Sequence, residues 1–295
     1  MFEDFDRRLV HIGDVSINCV VGGNGPPVLL LHGAPQCLAE WALLAPLLAR
    51  DYTVVCADLR GYGDSSKPTS LPDSANYTFR VSAADQVAMM KSLGFGRFHV
   101  AGHDRGARVA HRMALDWPDQ VRSLSVLDIV PTYTMYNTVN RQLAATYWLW
   151  YFLPLPAPFP ERMIGADPDY FFENLLVSVG GGSEGLKAFE TEMLAEYRRC
   201  WRDPAMIHGC CSDYRAGASI DLEHDAADLD RKLACPTLAL WGANGLVCKL
   251  FDITAIWRTR TDDLRCDSVP GGHWFPETHA VETAEILSRF FGGSQ

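Results

Sequence analysis

Short runs rich in valine, leucine and isoleucine alternate with helical stretches along this chain, and the alternation stops after Val130 and resumes near residue 236. Strands are read at 15–21 (VSINCVV), 27–32 (PVLLLH), 53–58 (TVVCAD), 98–103 (FHVAGH), 124–130 (LSVLDIV), 237–242 (TLALWG) and 264–269 (LRCDSV). Helices are read at 38–50, 79–94, 105–117 and 277–291, where apolar positions recur at helical spacing. Continuous apolar strands bury both faces, and the helices between them supply the crossovers that a parallel sheet requires. From about 131 to 220 the sequence is aromatic, punctuated by proline and helical, with GGG at 180–182 read as a loop between helices. Because strands resume after this stretch, an inserted helical cap explains it better than a second sequential domain. The expectation is an α/β fold: a mostly parallel sheet flanked by helices, with a core of 1–130 and 221–295 and a cap of 131–220.

A chain of 295 residues can hold one large core with such an insertion. Its 36 acidic and 26 basic residues leave a net charge of −10, which argues against nucleic acid or an anionic membrane as partner. An anionic substrate therefore needs a local basic site. The longest apolar run, 147–159, contains three prolines and falls short of the ~20 residues of a spanning helix. The first ten residues are acidic and interrupted by charge, unlike a secretory leader. Nine cysteines without regular spacing fit buried thiols in a reducing compartment, so a cytoplasmic protein is expected.

The segment Gly102-His103-Asp104-Arg105-Gly106 follows a strand and opens a helix, the setting of a nucleophile elbow with aspartate at the apex. A carboxylate there is a competent nucleophile toward an electrophilic carbon, although aspartate before a helix also serves as a plain N-cap. His273, in PGGHW, follows the last strand, and Asp128 ends the strand after the elbow helix, so all three side chains gather at the carboxyl edge of the sheet. Asn244 occupies the other usual place for an acid and offers no carboxylate, which makes Asp128 the partner expected to orient His273. The turn after His32 (HGAP) brings the backbone N–H of Ala34 forward, and with that of Arg105 it can form an oxyanion hole. Arg105 and Arg108 are three apart on one helical face and can clamp a carboxylate, whereas Arg112 reads as part of a solvated face. The histidines at 99, 103, 111, 208, 224 and 279 show no metal-ligand spacing, and no dinucleotide fingerprint is present, so neither metal nor cofactor is expected.

Taken together, HGAPQ, DLRGYGDSSKP (58–68), GHDRGARVAHRMALD (102–116), VLDIVPT (126–132), PERMIGADPDYF (160–171), DYRAGASIDLEHD (213–225) and PGGHW resemble the haloacetate dehalogenase family, fluoroacetate dehalogenases included, on the α/β-hydrolase fold. The resemblance runs through core and cap. It implies that Asp104 displaces halide from a 2-haloacid to form an ester, and that His273, oriented by Asp128, directs water onto that ester. It also implies halide donors in the cap, the indole of Trp150 and the hydroxyl of Tyr214, and a homodimeric assembly. Tyr147, Trp148, Tyr151 and Phe152 are read as cap packing. Two positions depart from the fluoride-active pattern: Leu149 stands where those members carry histidine (YWLW for YWHW), and Ala34 stands in HGAP for HGFP. Chloroacetate and bromoacetate are therefore the expected substrates, with fluoroacetate the more demanding one. Two other readings stay open: an epoxide hydrolase using Tyr147 and Tyr214 as acids, and a non-catalytic ligand binder on a hydrolase scaffold.

Overall fold

The computed structural model describes residues 1–180 and 184–294. Among these, strands β1 (Asp6–Ile12), β2 (Val15–Gly22), β3 (Pro27–Leu31), β4 (Thr53–Ala57), β5 (Phe98–His103), β6 (Val121–Leu127), β7 (Thr237–Gly242) and β8 (Leu264–Val269) form one sheet in the order β1-β2-β4-β3-β5-β6-β7-β8. The pairs from β4 through β8 are parallel, and β1 and β2 are antiparallel. Val28–Leu31 and Val100–Ala101 are fully buried, as central strands covered on both faces must be.

Strand β1 was not anticipated. Its DRRLVHI segment is an edge strand, almost entirely exposed, so burial imposes no apolar pattern on it. The stretch 38–50 forms two short turns of helix, Leu38–Trp41 and Ala45–Leu48, instead of one continuous helix, with Pro46 starting the second. The C-terminal helix likewise divides, at His279, into Phe275–Thr278 and Ala280–Gly292. The strand expected at 124–130 begins three residues earlier and stops at Leu127, which leaves Asp128 beyond the sheet edge.

Between β6 and β7 the described residues contribute helices and no strand of the sheet, among them Leu149–Phe152, Pro168–Val179, Thr191–Trp201, Pro204–Gly217 and Ile220–Ala227. Gly180 follows the second of these, and Gly181 and Gly182 of the expected loop lie outside the described residues. No helix among the described residues is long and apolar enough to cross a membrane.

Helix Asp104–Asp116 is buried from its first residue through Leu115. Arg112, expected on a solvated face, is instead only 2% exposed and forms ion pairs with Asp116, Asp225 and Asp228. The chain returning from the insertion covers that face and supplies two of the three carboxylates. A buried cation persists where such partners meet it.

Candidate active site

The turn from β5 into helix Asp104–Asp116 places Asp104 at φ 44°, a left-handed conformation uncommon for a residue with a side chain. Two glycines make the turn possible. A Cβ on Gly102 would lie 2.4 Å from the Gly106 backbone, and one on Gly106 would lie 2.2 Å from the Leu31 carbonyl. The helix therefore starts hard against β3 and β5, and Asp104 projects from the middle of the sheet edge.

Asp128, just past β6, is also at positive φ (53°) and is 1% exposed. Its Oδ1 accepts the Gly242 N–H at 3.1 Å, and its Oδ2 lies 2.6 Å from His273 Nδ1. With that nitrogen engaged, His273 presents Nε2 toward Asp104, 4.0 Å from Oδ2. The loop bearing His273 is tied down by its neighbour Trp274, whose indole N–H donates to the Leu176 carbonyl at 2.7 Å. On the opposite side the Ala34 N–H donates to Asp104 Oδ1 at 3.2 Å. Asp104, Asp128, His273 and Ala34 thus converge on one point at the sheet edge.

Burial opposes charge on Asp104, but His273, Arg108, His103 and Arg105, in that order, overcome it and hold its carboxyl below the usual range. The histidines on either side of the elbow contribute as well.

The two arginines differ. Arg105 is fully buried and grips Asp213 with Nε to Oδ2 at 2.7 Å and Nη2 to Oδ1 at 2.8 Å, while Nη2 also donates to the Asp213 carbonyl at 3.0 Å. Tyr62 donates its hydroxyl to the same carboxylate at 2.8 Å, and the guanidinium lies over the rings of Tyr214 and Phe79, 4.1 and 4.6 Å from their centroids. Its Nη1 has no partner among the described residues. Arg108 is equally enclosed, but its Nη1 donates to neutral acceptors, the Val130 carbonyl at 3.0 Å and Thr132 Oγ1 at 2.9 Å. Its guanidinium lies 4.4 Å from the Trp150 ring centroid. Burial, only partly offset by Asp104, lowers its pKa to about 10. A cation so placed favours the arrival of an anion.

A cavity of ≈ 20 Å³ lies above Asp104, lined in part by Ala34, Tyr147, Leu149, Trp150, Tyr214 and His273. Trp150 and Tyr214 stand edge to face, 5.8 Å between centroids. Tyr147, expected as packing, lines the cavity too, and its buried hydroxyl has no partner among the described residues. Burial, then Asp128 and Asp104 for Tyr147, and burial, then Asp104 for Tyr214, keep both phenols protonated. The sequence reading missed Asp213. The available signal was the need of a buried Arg105 for a counter-charge, and Asp213 immediately precedes Tyr214.

The arrangement brings together an ionised carboxylate, a histidine with an oriented ring, a buried guanidinium hydrogen-bonded to neutral acceptors and, from the stretch between β6 and β7, an indole and two phenols. Residues 26–280 match a family model described as the alpha/beta hydrolase fold. The chain is 57% identical, over 295 residues, to a fluoroacetate dehalogenase from a Burkholderia species, covering 100% of this chain and 96% of that protein. It is 30% identical over 293 residues to a soluble epoxide hydrolase from Corynebacterium sp. (strain C12), covering 99% of each. A crystal structure of an α/β hydrolase from Nostoc sp PCC 7120 superposes with a TM-score of 0.96 at 48% identity, covering 99% of each chain.

Proposed function

Starting from a chain that belongs to the haloacetate dehalogenase family of the α/β-hydrolase superfamily, we propose that it converts 2-haloacids to hydroxyacids and halide through an ester on Asp104. The enzyme is a hydrolase acting on carbon–halide bonds. One observation carries the finer reading: Arg108, a buried cation hydrogen-bonded to neutral acceptors, stands one helical turn from an ionised Asp104.

In this reading the substrate carboxylate docks on Arg108 and on Nη1 of Arg105, which has no partner among the described residues. That seats the α-carbon over Asp104, at the floor of the small cavity. Asp104 forms a C–O bond as the C–halogen bond breaks, and the departing halide takes the N–H of Trp150 and the O–H of Tyr214. His273, its ring held by Asp128, then removes a proton from water that adds to the ester carbonyl. The Ala34 N–H, already bonded to an Asp104 oxygen, and the backbone N–H of Arg105 receive the oxyanion. Residues 131–220 act as a cap on a core of 1–130 and 221–295. This division is supported by Trp150 and Tyr214, which come from the insertion and stand over a nucleophile from the sheet.

Epoxide hydrolysis is the second reading, and the hydroxyl of Tyr147, without a partner among the described residues, favours it. Halide leaves without a proton, whereas a ring oxygen leaves as an alkoxide and takes one from a phenol.

One experiment separates these readings. The wild type and His273→Asn are given chloroacetate, chloroacetamide and a simple epoxide, with intact-mass detection of the protein. Chloroacetate turnover by the wild type and a stable adduct on Asp104 in His273→Asn are expected. Turnover of the epoxide or the amide in preference to chloroacetate would overturn the proposal, as would an adduct at another residue.

A further inference from the structure

Behind the nucleophile lies a buried polar cluster that the reaction just described does not use. Glu40, His103, Gln36 and Glu277 come from three separate segments, and none is more than 5% exposed. Glu40, on the short turn Leu38–Trp41, accepts the Gly33 N–H on Oε2 at 2.7 Å. Its Oε1 lies 2.7 Å from Nδ1 of His103, an ion-pair contact tilted away from hydrogen-bond alignment. His103 immediately precedes Asp104, and its ring centroid is 4.6 Å from that of His273. One carboxylate therefore holds both the residue before Ala34 and the residue before the nucleophile.

We propose that Glu40 and His103 are positioning residues for Asp104: Glu40 ties the turn after β3 to the elbow and maintains a positively charged imidazole behind the nucleophile. The inference rests on Asp104 being the nucleophile.

The charges in the cluster support this. Burial alone would discharge His103, but Glu40 above all, then Asp104 and Asp128, raise its pKa to about 9. Glu277 is instead driven to its neutral form. Burial and the adjacent Glu40 push its carboxyl well above the usual range, so it stays neutral and accepts from Gln36 Nε2. The cluster then holds one anion, one cation and one neutral acid, a combination that a dry site tolerates. The groups facing His103 are Glu40, Asp104, Asp128, Glu277 and His273, and those facing Asp104 are His273, Arg108, His103, Arg105, Tyr214, Tyr147 and Cys210. His103 is thus one of four groups that lower the Asp104 pKa.

The sign of the effect follows. Removing the His103 charge, directly or by removing Glu40, raises the Asp104 pKa, so alkylation fails at a higher pH than in the wild type. The experiment measures single-turnover chloride release from chloroacetate across the acid range for wild type, Glu40→Gln, His103→Gln and the double variant, each checked by circular dichroism. At a pH on the wild type's acid limb, each single variant, normalised to its own neutral-pH plateau, is expected to be about tenfold slower than the wild type. The double variant should resemble either single variant, because the two residues act as a unit. The proposal is overturned if the single variants lose rate equally at every pH, or if their losses multiply in the double variant. Should either single variant fail to fold, Glu40→Asp replaces it. That shortened carboxylate keeps the charge, so its acid limb must remain where the wild type has it; movement of that limb also overturns the proposal. Failure of the parent reading looks different: the wild type itself would form no ester.

Discussion

Arg108→Met and Arg105→Met, three residues apart on one helix, are expected to fail in opposite ways. Burial holds Arg108 to a pKa of about 10, against an ordinary 12.5, which corresponds to roughly 3 kcal/mol of destabilisation of the bound charge. Methionine removes that destabilisation and keeps an unbranched stem against Trp150. Against this gain, the Val130 carbonyl and Thr132 hydroxyl each lose a donor, at about 1–3 kcal/mol apiece. The contributions nearly cancel, and the melting temperature should stay within about 3 °C of wild type. Arg105→Met leaves Asp213 a buried carboxylate stripped of both guanidinium bonds, with only the Tyr62 hydroxyl remaining on its side chain. Breaking a buried pair from one side costs about 3–5 kcal/mol, on the order of 10 °C in a chain of this size. Activity should fall further for Arg108→Met, since Arg105 offers the substrate carboxylate only its Nη1. Arg108 meets the substrate carboxylate uncompensated, and two charge-assisted contacts at about 1.5–3 kcal/mol each imply a fall in kcat/KM of roughly a hundredfold or more. Calorimetry and halide release from chloroacetate give both readouts. Equal melting temperatures for the two variants, or an Arg108→Met enzyme with near-normal kcat/KM, would refute this division of roles.

Fluoride concentrates its charge most and needs donors most, yet Leu149 lines the cavity with none. Leu149→His should raise fluoroacetate turnover relative to chloroacetate by roughly fivefold, about 1 kcal/mol; an unchanged ratio in paired halide assays counts against it. Because Asp104 titrates below the usual carboxylate range, alkylation is lost only as pH falls through that lowered value. Single-turnover halide release should therefore be flat from about pH 5 to pH 8, and a limb inside that window would contradict the assigned electrostatics.

The features legible in the sequence were those written locally. Buried strands announce themselves as apolar runs, and an elbow is a five-residue pattern, so Asp104 and the strand-end positions of Asp128 and His273 could be named in advance. Strand β1 was not legible, because an exposed edge is under no pressure to alternate. Nor was the break within 38–50, where the chain turns to bring Glu40 beneath Gly33 and His103. Asp213 and Arg105 stand 108 residues apart in sequence, and no spacing rule connects them. The same distance effect misled the reading of Arg112, whose partners Asp225 and Asp228 arrive from the far side of the insertion.

The path of the chain bears on how such a protein can be altered. Trp150, Leu149 and Tyr214 belong to the stretch between β6 and β7, whereas Asp104 and His273 hang from strand ends. A transplanted insertion would exchange the surroundings of the departing group and leave the hydrolytic half intact. The graft has one mandatory fixture. Asp213 travels with the insertion while Arg105 stays behind. A donor segment without a carboxylate at that point would strand a naked guanidinium in the recipient, and the chimera would fail at the seam before its selectivity could be assayed.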